Sequence, residues 1–321
     1  MRIVVLAGGL SPERDVSLSS GALIASALIS RGHMVAFCDV YEGVTLTIPA
    51  EKMFGTTEPQ PPAIADREPD LDALKERCKN GDALIGRGVI ELCRAADVVF
   101  IALHGAMGEN GQLQATLDCF GIKYTGTGYA GSLLAMDKDI AKRLLRDAGL
   151  DTAPWVTLDG ASRSDTVYAA ELVEREVGYP CVVKPAGCGS SVGVSIVRVR
   201  DELDAALASA SSYGGVIIAE KYISGREFSV GVLSGAALPP IEIIPKQGFY
   251  DYKNKYQNGM TTEVCPAELS PEQDAALREA ALKVHKTLQL GTYSRVDFIL
   301  NAESGGFVCL EANNLPGMTQ A

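Results

Sequence analysis

KPAGCGSSVG, at residues 184–193, is the stretch that decides the fold of this chain. It follows the apolar run YPCVV at 179–183, which predicts a strand entering a loop. Glycines let a backbone adopt positive φ and approach an anion closely, and successive free N–H groups form an anion-binding concavity. Ser190 and Ser191 add hydroxyl donors, and Lys184 adds a positive charge. We interpret the stretch as a flexible lid over a triphosphate; the alternative is an exposed hairpin turn, since glycine and serine are ordinary turn residues.

Bulk composition limits the classes of function. A length of 321 residues predicts two or three domains, and 47% hydrophobic and 21% charged residues are typical of a soluble globular protein. The net charge of −11 argues against nucleic-acid binding, so local positive groups must meet any phosphate.

No apolar run approaches the ~18 residues of a membrane span. Apolar residues 1–9 run into charged residues and predict a strand, not a signal peptide. Eight cysteines without CxxC spacing predict reduced thiols in a cytoplasmic protein.

The N-terminal third predicts a doubly wound parallel sheet. RIVVLA at 2–7, HMVAFCDV at 33–40 and DVVFIAL at 97–103 are apolar strand patterns, with a helix pattern at 17–31 between the first two. In such sheets ligands bind beyond the C-terminal ends of the strands. Glu13 and His104 follow two such ends. Taken alone, Glu13 is better explained as a solvated loop acid or a helix N-terminal acid than as a ligand contact. His104 is equally suited to contacting a substrate and to holding its loop by hydrogen bonds.

Glycines 126, 128 and 131 have the GxGxxG spacing of a dinucleotide site. We reject that interpretation, because the acid about 20 residues on, Asp151, precedes the next strand (155–158) instead of ending it. The segment predicts a domain junction. A helix is predicted at 132–147, and it carries Lys138, whose ordinary role would be that of a surface lysine.

Two segments in the C-terminal half predict functional features, an adenine slot and a closing loop. The strand 216–220 ends in Glu220 and leads through KYISGRE to a strand at 228–233, which suits an adenine slot read by backbone groups; the alternative is a plain hairpin. Residues 246–263, KQGFYDYKNKYQNGMTTE, lack periodicity and are rich in tyrosine and lysine. Long loops in compact domains are usually functional or disordered, and this composition favours a closing loop.

A cation site is predicted on the last two strands, 294–300 and 307–313, which follow a helix at 270–288. If their hairpin centres on Ser304, Asp297 lies opposite Glu311, and Asn313 lies on the same face. Facing acids repel each other, so a bound cation explains them. Oxygen-only ligands near a triphosphate indicate Mg²⁺. The alternative is that these are exposed strand faces.

Taken together, these motifs resemble the ATP-grasp fold, and within it the D-alanine–D-alanine ligase family. The chain contains no GxxxxGK[ST] segment, so it is not a P-loop protein. The resemblance covers nearly the whole chain. The motifs that carry it are GGLSPERDVSL (8–18), LHGAMGENG (103–111), YTGTG (124–128), MDK (136–138), KPAGCGSSVG (184–193), EKYISGREF (220–228), FYDYKNKY (249–256), SRVDF (294–298) and EANNLPGMT (311–319).

The resemblance implies a reaction in which two D-alanines are joined at the cost of one ATP through an acyl phosphate. It implies that Glu13 holds the ammonium of the first D-alanine in a hydrogen-bonded set with Ser190 and Tyr256, and that Arg295 and Gly317 hold the second, with His104 also at the substrate. The residues implied at ATP are Lys138, Lys184, Ser190, Ser191, Glu220, Lys221, Tyr222, Ile223, Glu227 and Lys255, of which Lys255 reaches the γ-phosphate. Asp297, Glu311 and Asn313 are implied to hold two Mg²⁺, or Mn²⁺.

The resemblance also implies an N-terminal α/β substrate domain (1–127), a central ATP-grasp lobe (128–217) and a C-terminal lobe (218–321). Homodimers and a dipeptide product are expected, the latter because Tyr256 stands where depsipeptide ligases typically carry histidine. Family members continue after PGMTQ with a serine-leucine pair and a C-terminal helix, so a truncated end is expected at Ala321. Two alternatives stay open: another ATP-grasp carboxylate–amine ligase, and an inactive ATP-binding module.

Overall fold

The computed structural model describes residues 1–60, 69–159, 165–189, 192–246 and 261–318. The chain divides into two compact units. Unit 1 comprises Met1–Leu133 together with Asn314–Ala321, and unit 2 comprises Leu134–Asn313. Among the described helices, none is long and apolar enough to span a lipid bilayer.

Unit 1 is built on a three-stranded parallel sheet of order β2-β1-β3, which confirms the doubly wound start. The strands are β1 (Arg2–Ala7), β2 (Met34–Asp39) and β3 (Val98–Ile101). Helix α1 (Arg14–Ser30) begins three residues before the predicted helix. Its buried Ser17 accepts a hydrogen bond from Gly8 N–H (2.9 Å) and donates one to the Ala102 carbonyl (2.8 Å). This hydroxyl joins the ends of β1 and β3 to the helix.

The remaining helices of unit 1 are short. They are α2 (Leu71–Cys78), α3 (Val89–Arg94), α4 (Ala106–Glu109), α5 (Gln112–Cys119) and most of α6 (Tyr129–Met136), with a 3₁₀ turn at Ala50–Lys52. After unit 2 the chain returns to unit 1 at Asn314. The buried Asn314 amide donates to the Glu109 carbonyl (3.2 Å) and to Ser132 Oγ (2.8 Å), which secures the returning segment.

The predicted helix 132–147 is two helices, α6 and α7 (Lys138–Asp147). The break lies at Asp137, which has extended backbone angles and accepts a hydrogen bond from Ile140 N–H. An aspartate that caps N–H groups in this way starts a new helix. Lys138 is therefore the first residue of α7.

Unit 2 contains two antiparallel sheets. The first has the order β4-β7-β5-β6 and consists of β4 (Trp155–Leu158), β5 (Cys181–Pro185), β6 (Ser195–Val197) and β7 (Ile217–Lys221). Helices α8 (Thr166–Glu176) and α9 (Leu203–Ser211) share an apolar core with this sheet. Lys184 and Pro185 of the segment KPAGCGSSVG are the last residues of β5, and β5 pairs antiparallel with β6. Ser190 and Ser191 lie outside the described residues.

The second sheet has the order β11-β10-β8-β12-β13, with β9 paired to β8. Its strands are β8 (Gly225–Leu233), β9 (Ala236–Ala237), β10 (Ile241–Pro245), β11 (Thr261–Val264), β12 (Tyr293–Asn301) and β13 (Phe307–Asn313). Helix α10 (Pro271–Thr287) packs on it and starts with a capping box of Ser270 and Gln273.

Two details of the C-terminal half differ from expectation. Strands β7 and β8 belong to different sheets, so the plain-hairpin alternative for 216–233 is wrong. The predicted closing loop 246–263 is shorter, because β11 takes its last residues into the sheet by pairing with β10. The central part of that loop, 247–260, lies outside the described residues.

Candidate active site

A pocket in unit 2 is lined by residues of both sheets and of α7, and we call it the nucleotide pocket. It contains nine of the residues predicted from the sequence. Its lining comprises Lys138, Val182, Lys184, Pro185, Cys188, Val192, Val194, Ile196, Glu220, Lys221, Tyr222, Ile223, Glu227, Asp297, Ile299, Leu310 and Glu311. Aliphatic side chains cover one part, and lysines and carboxylates are grouped in another. The pocket thus combines a surface for an aromatic base with charged groups that suit phosphates.

Glu220 is the centre of a buried ionic triad with Lys184 and Lys142. Lys184 Nζ lies 2.5 Å from Glu220 Oε1, and Lys142 Nζ lies 2.8 Å from Glu220 Oε2. Burial alone would raise the pKa of Glu220, but the two ammonium groups outweigh it and hold that pKa below its usual value. Burial lowers the pKa of Lys142, although Glu220 opposes this effect. The carboxylate is therefore ionised and shared by two lysines.

Lys138 lies at the start of α7, beside the glycine segment. Its backbone N–H donates to the Ala186 carbonyl (3.0 Å), and its ammonium group donates to the Cys188 carbonyl. The same Nζ is 3.7 Å from Glu311 Oε2. This buried lysine links the glycine segment to β13, so the surface-lysine alternative is wrong.

Helix α7 is fixed to the first sheet by Asp139. One oxygen of this carboxylate accepts from Trp155 Nε1 (2.8 Å) and Thr157 Oγ1 (2.7 Å), and the other accepts from Arg143 Nε (3.0 Å). The Trp155 ring in turn contacts two cations, with Lys142 Nζ at 5.2 Å and the Arg146 guanidinium at 4.9 Å from its centroid. These contacts set the position of both α7 lysines that reach the pocket region.

Asp297 and Glu311 pair directly across β12 and β13, as predicted. Asp297 accepts four hydrogen bonds. Its Oδ1 receives Ser229 Oγ (2.8 Å) and Arg295 Nε (3.0 Å), and its Oδ2 receives Arg295 Nη2 (2.8 Å) and Asn313 Nδ2 (3.1 Å). Asn313 thus joins the carboxylates on one face, and protein cations offset both charges.

A β-bulge lies next to this pair. Asp297 opposes Glu311, but the following pair is Phe298 with Cys309, so Leu310 is the extra residue. Leu310 and Glu311, although adjacent in sequence, both line the nucleotide pocket. A regular strand would turn them to opposite faces. The bulge therefore supplies the pocket with an apolar wall and a carboxylate at the same point.

The donor set fits a hard divalent cation. Two carboxylates and an amide offer oxygen ligands of the kind that Mg²⁺ and Mn²⁺ accept. Within the described ranges, no group of three or more His, Cys, Asp or Glu side chains is arranged so that it could hold a metal ion. A cation at Asp297 would compete with the Arg295 and Asn313 donors for the lone pairs of that carboxylate.

Unit 1 holds the other candidate residues, Glu13 and His104. Glu13 is buried at the start of α1, and its N–H donates to Ser11 Oγ (3.1 Å). His104 is also buried; its Nε2 lies 3.3 Å from Ser20 Oγ, and its Nδ1 lies 3.7 Å from Glu109 Oε1. Gly105 has φ +68°, and a Cβ built there would lie 2.6 Å from both Glu13 Oε2 and Ser11 Oγ. The glycine is required because the Glu13 carboxylate occupies that space.

The predicted residues separate into three groups. Lys138, Lys184, Glu220, Lys221, Tyr222, Ile223, Glu227, Asp297 and Glu311 line the nucleotide pocket, and Arg295 and Asn313 contact Asp297. Glu13, His104 and Gly317 belong to unit 1. Ser190, Ser191, Lys255 and Tyr256 lie outside the described residues.

Sequence reasoning missed Lys142 and Ser229. Lys142 stands four residues after Lys138, which is the spacing that places two side chains on one face of a helix, so a helical projection could have found it. Ser229 is paired with Asp297 across β8 and β12, and no sequence signal indicates that pairing.

Comparison with known proteins identifies the family. A model described as "D-ala D-ala ligase N-terminus" matches residues 2–127, and one described as "D-ala D-ala ligase C-terminus" matches residues 144–321. A D-alanine--D-alanine ligase of Pediococcus pentosaceus is 41% identical over 99% of this chain and 90% of its own length. One from Geotalea uraniireducens is 38% identical over 99% of this chain and 86% of its own.

Solved structures agree. A D-alanine--D-alanine ligase from Bacillus anthracis, 32% identical, has a TM-score of 0.72 and covers 100% of this chain and 88% of that one. The enzyme complexed with ATP has a TM-score of 0.69 at 31% identity, with the same coverage. The VanG D-Ala:D-Ser ligase from Enterococcus faecalis has a TM-score of 0.74 at 27% identity, over 99% of this chain and 91% of that one. With the ATP-grasp architecture described above, these matches show that the chain belongs to the D-alanine–D-alanine ligase family.

Proposed function

We propose that this chain joins two D-alanine molecules to D-alanyl-D-alanine, a peptidoglycan precursor, and converts ATP to ADP and phosphate. The observation that carries the proposal is the nucleotide pocket. It brings two lysines, Lys138 and Lys184, together with the facing carboxylates Asp297 and Glu311. Phosphoryl transfer depends mostly on positioning and on charge neutralisation, and this arrangement offers both.

ATP lies in the nucleotide pocket in this proposal. Its base borders the segment from Glu220 to Ile223, with Glu227 near the ribose, and its phosphates face Lys138 and Lys184. Lys221 is the last residue of β7 and also lines the pocket. Ser190, Ser191 and Lys255 stay predicted phosphate contacts, and Tyr256 stays a predicted member of the substrate site.

Asp297, Glu311 and Asn313 would hold two Mg²⁺ ions, or Mn²⁺ in their place. When bound, the ions would neutralise charge on the triphosphate and on the phosphoryl group during transfer. Arg295 donates two hydrogen bonds to Asp297. In this proposal Arg295 and Gly317 bind the second D-alanine. Ser229 keeps its hydrogen bond to Asp297 and orients that carboxylate.

The reaction proceeds in two steps. Glu13 binds the ammonium group of the first D-alanine, whose carboxylate attacks the γ-phosphate and releases ADP. The resulting acyl phosphate is attacked at its carbonyl by the amine of the second D-alanine, and phosphate leaves as the peptide bond forms. His104 contributes to the substrate site beside Glu13. Water must be kept from the acyl phosphate, which is the role we assign to the loop around Lys255.

Three further properties are part of the proposal. The three-domain division at residues 127 and 217, a homodimeric state and a cytoplasmic location are what the family resemblance implies. Gel filtration with light scattering would test the second property, and it would reject the dimer if the mass equals 33.9 kDa.

The test of function is ADP release with ATP, Mg²⁺ and D-alanine, with mass spectrometry of the product. L-alanine is the negative control, and D-serine and D-lactate are alternative second substrates, the former because a D-Ala:D-Ser ligase is structurally similar. D-alanine-dependent ADP release with a D-alanyl-D-alanine product is the expected result. A different dominant product would favour another carboxylate–amine ligase, and ATP binding without turnover would favour a nucleotide-binding module.

A further inference from the structure

Lys142 is the one member of the buried triad that the proposed ATP contacts do not use. It is 2% exposed, compared with 8% for Lys184 and 3% for Glu220. Lys184 and Glu220 line the nucleotide pocket, whereas Lys142 of helix α7 bonds Glu220 and is not among the lining residues. The two lysines therefore approach opposite oxygens of one carboxylate, and only Lys184 has access to a ligand.

The triad has one positive charge in excess. Lys184 bonds Glu220, and while this bond is made Lys184 cannot give its full charge to a phosphate. If Lys184 turns towards ATP, the buried Glu220 keeps only Lys142, at 2.8 Å. A buried carboxylate without a partner is strongly unfavourable, so without Lys142 the movement of Lys184 would be opposed.

The surroundings keep Lys142 in place. Its Nζ lies 5.2 Å from the centroid of the Trp155 ring, and Trp155 is itself hydrogen-bonded to Asp139 of α7. The cation–π contact and the hydrogen bond to Glu220 both hold the Lys142 ammonium group at its present position. Of the two lysines, only Lys184 lines the pocket in which a ligand would bind.

We propose that Lys142 is a positioning residue that acts as the permanent counter-ion of Glu220, and that it thereby frees Lys184 to bind the phosphates of ATP. The inference rests on the proposed function, because it assumes ATP in the nucleotide pocket. It predicts that loss of the Lys142 charge weakens ATP binding and leaves the reacting atoms untouched.

The first experiment compares Lys142→Met with the wild type and with Lys142→Arg. ATP affinity is measured by calorimetry without D-alanine, and KM and kcat are measured by ADP release. We expect Lys142→Met to bind ATP at least about tenfold more weakly, with kcat changed by less than about threefold, because uniform binding is lost. Lys142→Arg should recover part of the affinity. Arg146→Met is the matched control, since Arg146 lies on Trp155 without contacting Glu220.

A double-variant cycle then asks whether Lys142 acts through Glu220. With the neutral Glu220→Gln, no counter-ion is required, so adding Lys142→Met should change ATP affinity by less than about twofold. Equal losses in both backgrounds, or wild-type affinity of Lys142→Met, would overturn the inference. Should Lys142→Met fail to fold, recovery of folding by Glu220→Gln supports the pairing, and failure of the double variant to fold would assign Lys142 to packing and overturn it.

The cycle also separates this inference from the proposed function. Wild-type chain that binds ATP but releases no D-alanine-dependent ADP would contradict the function and still permit the affinity cycle. Wild-type chain with no affinity for ATP would contradict both.

Discussion

Replacing Gly105 with alanine tests whether the Glu13 carboxylate is placed for a substrate. Gly105 has φ +68°, and a methyl group there would lie 2.6 Å from Glu13 Oε2 and from Ser11 Oγ. Gly121 is the matched control, because it has φ +65° and a methyl group there would meet nothing within 4 Å. The two variants share the cost of a left-handed alanine, roughly 1–2 kcal/mol each, and differ only in the collision.

The collision must move the Glu13 side chain, because the methyl group is fixed to the backbone. A displaced carboxylate loses its hydrogen bond to the ammonium group of D-alanine, and bonds to charged groups contribute about 1.5–3 kcal/mol. At 1.4 kcal/mol for each factor of ten, we expect KM for the first D-alanine to rise about 10- to 150-fold in Gly105→Ala. Gly121→Ala should keep the wild-type KM.

The assay is the initial rate of ADP release against D-alanine concentration at saturating ATP, with urea unfolding of each variant in parallel. Unfolding should show a larger loss of stability in Gly105→Ala than in Gly121→Ala, because only the former adds a collision with buried side chains. If Gly105→Ala folds and has the same D-alanine KM as Gly121→Ala, Glu13 does not hold the substrate, and the role we assign to it is wrong.

Four other perturbations have defined outcomes: chelation of the metal, Asp297→Asn, a rise in pH and Ser17→Ala. EDTA should stop ADP release, and Mg²⁺ or Mn²⁺ should restore it. Asp297→Asn should weaken Mn²⁺ binding, measured by electron paramagnetic resonance, by at least about tenfold. Changes to residues that only contact a metal ligand can already produce a loss of this size. Burial raises the pKa of Cys38, Cys93 and Cys309 to about 12 from 9.0, so between these pH values the unfolded chain loses thiol protons that the folded chain keeps. The free energy of unfolding in urea should therefore fall as pH rises, by up to about 1.4 kcal/mol per pH unit and thiol. Ser17→Ala leaves two buried backbone groups without their partner and should lower the free energy of unfolding by about 2–4 kcal/mol.

Matched controls make these outcomes decisive. Asp72→Asn changes an exposed acid and should leave Mn²⁺ binding intact. Ser212→Ala removes an exposed hydroxyl that bonds within its own helix turn, and it should cost less than about 0.5 kcal/mol. Unchanged Mn²⁺ affinity of Asp297→Asn, stability that rises above pH 9.0, or a Ser17→Ala cost equal to that of Ser212→Ala would each contradict the corresponding argument.

The carboxylate pair shows how far sequence reasoning reaches. Alternation along two strands and a hairpin centred on Ser304 predict that Asp297 faces Glu311, and this pairing is confirmed. The assumed centre is nevertheless wrong near the turn, where Leu300 pairs with Phe307, and the bulge at Leu310 compensates. A bulge depends on packing against the neighbouring strand and pocket, so strand periodicity cannot reveal it.

The same limit applies to α6 and α7. Apolar periodicity continues across Asp137, so the two helices look like one, although a capping aspartate could have indicated the break. The Lys142–Glu220–Lys184 triad could not be predicted from the sequence for a different reason. Lys142, Lys184 and Glu220 come from three elements, and only the tertiary fold tells which two lysines share the carboxylate. Motifs identify the family because each lies within one short stretch of sequence. The ion pairs of the site join residues that are distant in sequence, so they require the tertiary structure.

The bulge at Leu310 also has a consequence for engineering. Four residues, 302–305, separate Asn301 from Gly306, whose backbone groups close the turn. A regular ladder in which Asp297 faces Glu311 would need an odd number of residues in the turn. The bulge shifts the register by one residue, so that the carboxylates face each other although the turn has an even number of residues. A change of one residue in turn length can be absorbed by gain or loss of a bulge. This exposed turn is therefore a suitable insertion point for a peptide tag or a spectroscopic probe.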